Sequence, residues 1–157
     1  MTPTITFVRL SRIDPDEILA HMTLPRVAEH MPLLTDPWDA DTVAAFVAAK
    51  DSCWDRDGLG HWGVLSDNAY VGWGGFQKEG DDWDFGLVLR PDAFGLGNRI
   101  ARAALDIARA DARIPFVTFL LPPSRTKLGA LRRLGAEFLG ETSYGTARFL
   151  KFRLDTA

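Results

Sequence analysis

One helix-forming stretch between two apolar runs constrains the fold of this chain more than any other feature. The runs "DWDFGLVLR" (82–90) and "IPFVTFLLP" (114–122) have the composition of strands, and the second is continuously apolar, as in a strand buried on both faces. Two strands joined by a single helix become parallel neighbours through a right-handed crossover. The predicted apolar side of the helix consists of Ile100, Ala101, Ala104, Leu105, Ile107 and Ala108.

The rest of the chain predicts antiparallel pairing. The segments 61–66, 69–79 and 82–90 are separated by turn residues and predict a meander, and the last two apolar segments predict a terminal hairpin. Further segments predict a first strand at 5–10, a short helix capped by Asp14, a helix at about 42–54 and a helix within 124–136. We therefore expect an α+β fold with a mixed, mostly antiparallel twisted sheet, flanked by about four helices.

Composition narrows the class of protein. With 157 residues, 46% of them hydrophobic and 25% charged, the chain predicts one globular domain spanning 1–157. A net charge of −3 argues against general nucleic-acid binding. The single cysteine, Cys53, cannot form an internal disulfide, and no Cys/His spacing typical of metal sites occurs. Without a signal-like or membrane-spanning apolar run, we expect a cytoplasmic protein that binds no membrane.

Two glycines stand where the helix of the crossover begins. Gly95 and Gly97 would let a ligand approach the unpaired amides of a helix N-terminus, which suit a phosphate or pyrophosphate. The alternative is a tight strand-to-helix turn. A P-loop is excluded because Asn98 and Arg99 follow Gly97, and a dinucleotide fingerprint would need glycine at position 100, where the chain has isoleucine.

The element order, together with "PDAFGLGNRIARAAL", "FVTFLLP" and "LRRLGAEFLGE", resembles the GNAT superfamily of acyl-CoA-dependent N-acyltransferases. The resemblance covers nearly the whole chain and is strongest for the branch of ribosomal-protein N-terminal acetyltransferases. It implies that strands 82–90 and 114–122 splay apart and hold the pantetheine arm of acetyl-CoA between them. It further implies that the backbones of Leu87, Val88 and Leu89 align this arm.

By the same resemblance, the pyrophosphate is held by amides of the loop and helix start, comprising Phe94, Gly95, Leu96, Gly97, Asn98 and Arg99. This loop departs from the family pattern. Depending on the alignment, Phe94 or Asp92 occupies the position of the usual glutamine or arginine, and Arg99 takes a position that is usually small. Altered cofactor binding is therefore one hypothesis for this chain.

Acetyl transfer from a thioester to an amine requires a neutral amine and a proton for the departing thiolate. Asp84 falls where many relatives carry a glutamate, and we rank it first as the general base or as a group that positions the amine, ahead of Glu79 and His61. The alternative for Asp84 is a solvent-facing acid next to the turn. The proton donor is less defined because Leu131 stands where relatives carry a tyrosine.

Two other side chains are candidates for the proton-donating role. Ser124 begins the last predicted helix and is explained equally well as its N-cap, while Tyr144 in the terminal hairpin could enter the acceptor pocket. Tryptophans offer acceptor-binding surfaces: Trp73 and Trp83 on adjacent strands could wall the site, and Trp38 lies in the loop between the first helices. Core packing is the alternative for Trp38 and Trp73. Trp54 and Trp62 are predicted core residues, and His21 and His30 are predicted surface residues.

Two functions follow from these residues. The first is acetyl transfer from acetyl-CoA to a primary amine, on a small molecule or a peptide N-terminus, by direct attack in a ternary complex. The second is a degenerate domain that binds acyl-CoA or a protein partner without catalysis. A longer acyl donor is a weaker third hypothesis. The edge of the terminal hairpin would allow a homodimer, and the oligomeric state stays open.

Overall fold

The computed structural model describes residues 2–28, 37–123, 128–144 and 146–156. One sheet contains seven strands in the order β1-β2-β3-β4-β5-β7-β6, and all neighbours are antiparallel except β4 and β5. The strands are β1 Ile5–Arg9, β2 His61–Ser66, β3 Ala69–Glu79, β4 Asp82–Leu89, β5 Phe116–Leu121, β6 Glu137–Tyr144 and β7 Ala147–Asp155. The helices are α1 Pro15–Met22, α2 Pro25–Ala28, α3 Ala40–Asp57, α4 Gly97–Arg109 and α5 Gly129–Leu134.

Local sequence signals set the helix ends. The carboxylate of Asp14 accepts a hydrogen bond from the Asp16 amide at 2.9 Å and caps α1, as predicted. Helix α3 is longer than the predicted 42–54 because Asp39 caps its start through the Thr42 amide at 2.8 Å and Gly58 ends it in the left-handed conformation. Gly135 ends α5 in the same conformation, with a φ of 89°.

The sheet is covered on both faces. On the face that we call the α4 face, Trp83 packs in a core with Ala104 and Leu105. On the opposite face, the α3 face, Trp73 packs with Val43 in a second core. Because side chains alternate along a strand, Asp84, Gly86 and Val88 share the α3 face while Trp83, Phe85, Leu87 and Leu89 share the other.

Helix α4 buries a narrower stripe than predicted. Its buried residues are Ile100, Ala104, Leu105 and Ala108. Ile107 was expected in this stripe, but its side chain is 37% exposed. It lies at the margin of the stripe near the end of the helix, where the neighbouring Asp106 and Arg109 also face solvent.

Glycines in β3 allow the backbone of β4 to come close. A Cβ atom at Gly72 or Gly74 would collide with the backbone carbonyl of Val88 or Gly86, respectively. The close approach of β4 therefore requires glycine at these two positions. The register of β2 against β3 also shifts between Val64 and Leu65.

Strand β6 forms one edge of the sheet and carries two exposed apolar residues, Phe138 and Leu139. A homodimer through this edge stays a prediction. Among the described residues, no helix is both long enough and apolar enough to cross a bilayer. The described part of the chain also contains no cluster of three or more histidine, cysteine or acidic side chains arranged to hold a metal ion.

Candidate active site

Strands β4 and β5 are paired over a very short distance and then separate. Their parallel register contains only Asp84 with Thr118 and Phe85 with Phe119. Beyond these pairs, β4 remains bonded to β3 as far as Leu89, and β5 remains bonded to β7 as far as Leu121. The result is a V-shaped gap between 86–89 and 120–121 that is closed at Asp84. Backbone groups on the gap side of β4 are therefore available to a ligand that lies along the strand.

The chain leaves this gap through a 3₁₀ turn, Pro91–Leu96, and enters α4 at Gly97. The first turn of α4 has no side-chain cap. Glycine is not required here by the backbone, since neither Gly95 nor Gly97 has a positive φ. Packing does not require it either: a Cβ at Gly95 would meet nothing within 4 Å, and a Cβ at Gly97 would meet only Leu89 Cδ1 at 3.8 Å. The surface over both glycines is therefore open, while the Gly97 amide already donates a hydrogen bond to the Phe94 carbonyl.

Cations surround the start of α4. A shallow depression is lined by Gly95, Asn98, Arg99 and Arg102, and a second depression beside it adds Arg133 from α5. Phe94 is 43% exposed, and the Arg26 guanidinium of α2 lies 5.3 Å from the centre of its ring. Positive charge and a helix N-terminus at one place favour an anionic group.

Asp84 lies on the α3 face at the closed end of the gap. Its carboxylate oxygen Oδ1 accepts a hydrogen bond from Thr118 Oγ1 at 3.0 Å. Burial raises the pKa of Asp84 to about 7, although the Thr118 hydrogen bond acts in the opposite direction. The side chain is half-buried and bonded across two strands, so it is not the solvent-facing acid of the alternative interpretation.

Sequence reasoning missed Lys50 of α3, which lies beside Asp84. Gln77 is the direct cross-strand neighbour of Asp84, and Lys50 Nζ donates a hydrogen bond to Gln77 Oε1 at 2.7 Å. The same ammonium lies 5.3 Å from the Trp73 ring and 5.6 Å from the Phe46 ring. Burial lowers the pKa of Lys50. One signal was present in the sequence: Lys50 follows Phe46 by four residues, so it lies on the predicted buried stripe of α3.

His61 of β2 also faces the closed end of the gap. A Cβ atom at Gly86 would lie 3.8 Å from His61 Cε1 and 3.9 Å from Nε2, so the imidazole lies over Gly86. Its Nδ1 is buried and has no hydrogen-bond partner among the described residues. Burial, assisted by the charge of Lys50, lowers the pKa of His61 well below its usual range. A neutral imidazole therefore stands near the closed end of the gap.

The tryptophans do not come together as predicted. Trp73 is 5% exposed on the α3 face, but Trp83 is 3% exposed on the α4 face, so the two cannot wall one site. Trp38 instead stacks edge-on against Phe46, and Phe46 against Trp73, with ring centres 5.0 and 4.9 Å apart. Trp38, Phe46 and Trp73 thus form one aromatic cluster on the α3 face, in which Trp73 is a core residue.

His21 is not the surface residue that was predicted. It is 1% exposed, and its Nδ1 lies 2.7 Å from the hydroxyl of Tyr70. Burial lowers the pKa of His21. Amphipathic helix α1 turns this residue inward together with Ile18 and Met22, because positions 18, 21 and 22 share one side of a helix. His30 and Ser124 lie outside the described residues, as does the side chain of Tyr144.

A family model for the acetyltransferase (GNAT) domain matches residues 4–137. The chain belongs to the GNAT acetyltransferase family. Membership agrees with the seven-stranded, mostly antiparallel sheet and its flanking helices, so the predicted GNAT-like fold is confirmed. None of the curated protein sequences compared with this GNAT domain matches it.

Several solved structures share the fold of this GNAT domain. A GNAT-family acetyltransferase from Bacillus anthracis is 15% identical, with a TM-score of 0.77 and coverage of 99% of each chain. An acetyltransferase from Agrobacterium tumefaciens is 16% identical, with a TM-score of 0.76 and coverage of 98% of this chain and 94% of that one. Aminoglycoside acetyltransferase AAC(6')-Ib, in complex with ribostamycin and coenzyme A, is 13% identical, with a TM-score of 0.76 and coverage of 99% and 94%.

Proposed function

We propose that this GNAT domain transfers an acetyl group from acetyl-CoA to a primary amine, on a small molecule or a peptide N-terminus, by direct attack in a ternary complex. The observation that carries the proposal is Asp84, a half-buried carboxyl with a pKa of about 7 at the closed end of the gap between β4 and β5. A group with this pKa is present in both protonation states near neutral pH, as a general base must be.

Asp84 accepts the proton that the attacking amine must lose. Thr118 holds Oδ1, and Oδ2 accepts no hydrogen bond from the described residues, so Oδ2 is the oxygen that faces the amine. His61, over Gly86, keeps its uncharged ring beside the same position. Because the His61 ring is uncharged, it does not repel a cationic amine that approaches Asp84.

The donor is held by the residues that line the gap and the start of α4. The backbones of Leu87, Val88 and Leu89 bind the pantetheine arm, and the amides from Phe94 to Arg99 bind the pyrophosphate. Open space over Gly95 and Gly97 and the surrounding arginines support this assignment. Acetyl-CoA supplies the activated acyl group as a thioester. The AAC(6')-Ib structures, which contain coenzyme A, support an acyl-CoA donor.

Trp38 and Trp73 form part of the acceptor side, together with Phe46 between them. Trp83 has no part in it, because it lies in the core on the α4 face. Ser124 and Tyr144 stay candidates for the group that protonates the thiolate. The finer resemblance to the ribosomal-protein branch, the single domain spanning 1–157 and the cytoplasmic location also stay predictions.

The degenerate, non-catalytic domain remains the second candidate because of one observation at the loop. Phe94 is partly exposed next to Arg26 and, in one of the two alignments, takes the position where the family pattern has glutamine or arginine. Isothermal titration with acetyl-CoA, with desulfo-CoA and ATP as controls, separates the two. Micromolar binding that ATP does not reproduce, followed by thiol release with an amine, supports the enzyme. Binding without thiol release for any amine supports the second candidate.

A further inference from the structure

The α3 face of the sheet carries a cation, Lys50, that forms no ion pair among the described residues, although the charges of Glu79 and Asp84 act on it from farther away. Lys50 Nζ can donate three hydrogen bonds, yet Gln77 Oε1 is its one acceptor among the described residues. Among those residues, no carboxylate lies within 4.0 Å of this ammonium. Phe46 and Trp73 restrict its access to water. An ammonium so placed retains unused capacity to bind an anion.

Gln77 separates Lys50 from Glu79, the acid to which the Gln77 amide is hydrogen-bonded. Its amide nitrogen Nε2 donates to Glu79 Oε1 at 2.9 Å, which fixes the amide with its oxygen toward Lys50. Glu79 therefore lies on the far side of Gln77 from the ammonium. Asp82, another acid on this face, is engaged by Lys151 Nζ at 2.7 Å, and Asp84 accepts its hydrogen bond from Thr118. The charge of Lys50 is oriented by this network but not paired within it.

Lys50 and Asp84 are also close to each other. Gln77 and Asp84 are direct antiparallel partners, and such partners have Cβ atoms about 5 Å apart on one face of the sheet. Lys50 is hydrogen-bonded to the side chain of Gln77, which is the cross-strand neighbour of Asp84. The ammonium therefore lies close to the proposed base. A ligand whose amine meets Asp84 would thus bring atoms a few bonds away toward Lys50.

We propose that the acetyl acceptor is an amine that carries a carboxylate a few bonds from its amino group, as an amino acid does, and that Lys50 binds this carboxylate. The proposal rests on the proposed acetyl transfer and narrows its acceptor class. One ammonium matches the single negative charge of a carboxylate. The partly desolvated position between two aromatic rings strengthens that attraction. A polycationic acceptor such as ribostamycin would instead bring positive charge toward Lys50.

The test compares acceptors that differ only in the carboxylate, for example phenylalanine and 2-phenylethylamine, in a thiol-release assay with acetyl-CoA. The wild-type protein should show a kcat/KM at least about tenfold higher for the acid. Lys50→Met should remove the preference, so that the ratio of the kcat/KM values for the acid and the plain amine falls to about one, while Lys50→Arg should retain the preference. Lys78→Met, which removes a lysine from the α4 face over Trp83, is the matched control.

The experiment distinguishes a wrong acceptor class from the absence of acetyl transfer. Equal or better turnover of the plain amine, or an equal loss for both acceptors in Lys50→Met, would overturn the carboxylate proposal while acetyl transfer stands. If no amine is turned over, the binding of N-acetylphenylalanine is compared with that of N-acetylphenylethylamine by titration. If the acid binds more tightly and Lys50→Met abolishes this difference, the anion site is supported. Equal binding of the two compounds to the wild-type protein overturns it. Melting curves of each variant establish that it is folded.

Discussion

Thr118 Oγ1 donates a hydrogen bond to Asp84 Oδ1 over 3.0 Å, and these two residues are also one of the two pairs that join β4 to β5. The hydrogen bond lies next to the point where β4 and β5 separate. It fixes one carboxylate oxygen and stabilises the charged form of a side chain that burial drives toward the neutral form. One threonine thereby sets both the orientation and the proton affinity of the proposed base.

Asp84→Asn should abolish most acetyl transfer while leaving acetyl-CoA binding intact. Asparagine keeps the size of the side chain but cannot accept a proton, and loss of a general base typically lowers kcat by about 10²–10⁴-fold. The measurement pairs thiol-release kinetics with titration of acetyl-CoA. Asp81→Asn, in the exposed turn of the same hairpin, is the control and should behave like the wild type. Unchanged turnover in Asp84→Asn would remove Asp84 from the mechanism.

Thr118→Val should shift the pH dependence of the reaction upward. The hydrogen bond from Thr118 lowers the pKa of Asp84, so its loss leaves burial less opposed and the pKa rises above about 7. Because the deprotonated carboxylate is the active form, the rise of kcat with pH should occur at a pH higher by roughly 0.5–1 unit. Valine has nearly the same shape as threonine, so the buried packing around position 118 is largely kept.

The pH profile of kcat, measured between pH 5.5 and 9 for both proteins, checks this shift. Thr142→Val in β6, at the far edge of the sheet, is the matched control and should leave the midpoint in place. A profile of Thr118→Val that coincides with that of the wild type would mean that another group limits the reaction. His61 would then be the next candidate, because its ring lies over Gly86.

Gly95→Ala should weaken acetyl-CoA binding without weakening the fold. The new methyl group points into open space, and alanine restricts the unfolded chain, so the free energy of unfolding should stay constant or rise by up to about 1 kcal/mol. The methyl group would hold a phosphate farther from the backbone, and the loss of one charged hydrogen bond should raise Kd by about tenfold or more.

Titration calorimetry with acetyl-CoA and urea unfolding test the two halves of this prediction separately. Asp106→Ala, on the exposed side of α4, is the control for nonspecific effects on the helix. An unchanged Kd in Gly95→Ala, with the wild type binding tightly, would place the pyrophosphate elsewhere. The depression that includes Arg133 would then be the next position to examine.

The order of elements was predictable from the sequence because hydrophobic periodicity and turn residues act locally. The parallel crossover at β4, α4 and β5 required only that a helix stand between two strands. The separation of Trp73 from Trp83 was also present in the sequence. A two-residue turn pairs Glu79 with Asp82, and this register puts Trp83 on the opposite face from Val88, the partner of Trp73.

Other features depend on contacts between distant elements, which local sequence patterns do not determine. His21 in α1 meets Tyr70 in β3, and only the packing of α1 onto the sheet brings these residues together. The raised pKa of Asp84 similarly reflects burial by elements on both sides of β4. The proximity of Lys50 to Asp84 requires α3 to lie across β3, and neither residue type reveals this placement alone.

Tyr70→Phe should destabilise the fold through His21. Tyr70 and His21 are both buried, and removal of the hydroxyl leaves the imidazole Nδ1 without its partner, at a cost of roughly 1–3 kcal/mol. Urea unfolding at pH 7.5 measures this cost, and an unchanged m-value would show that the unfolded state is unaffected. A loss below about 0.5 kcal/mol would contradict a structural role for the contact.

The same pair predicts how stability depends on pH. Burial lowers the pKa of His21 in the folded state below the unfolded value of 6.5, and the pKa of His61 is lowered still further. The unfolded state therefore binds more protons, so the stabilisation from the neutral rings is complete above pH 6.5 and is lost as the pH falls below it. Asp84 acts in the opposite direction, because burial raises its folded pKa to about 7 and the folded state takes up a proton there as the pH falls. In Asp84→Asn, which removes this opposing group, unfolding at pH 5.5 should therefore require less urea than at pH 7.5. Replacement of His61 by asparagine should make the loss smaller, because one of the two buried rings that must take up a proton is then absent.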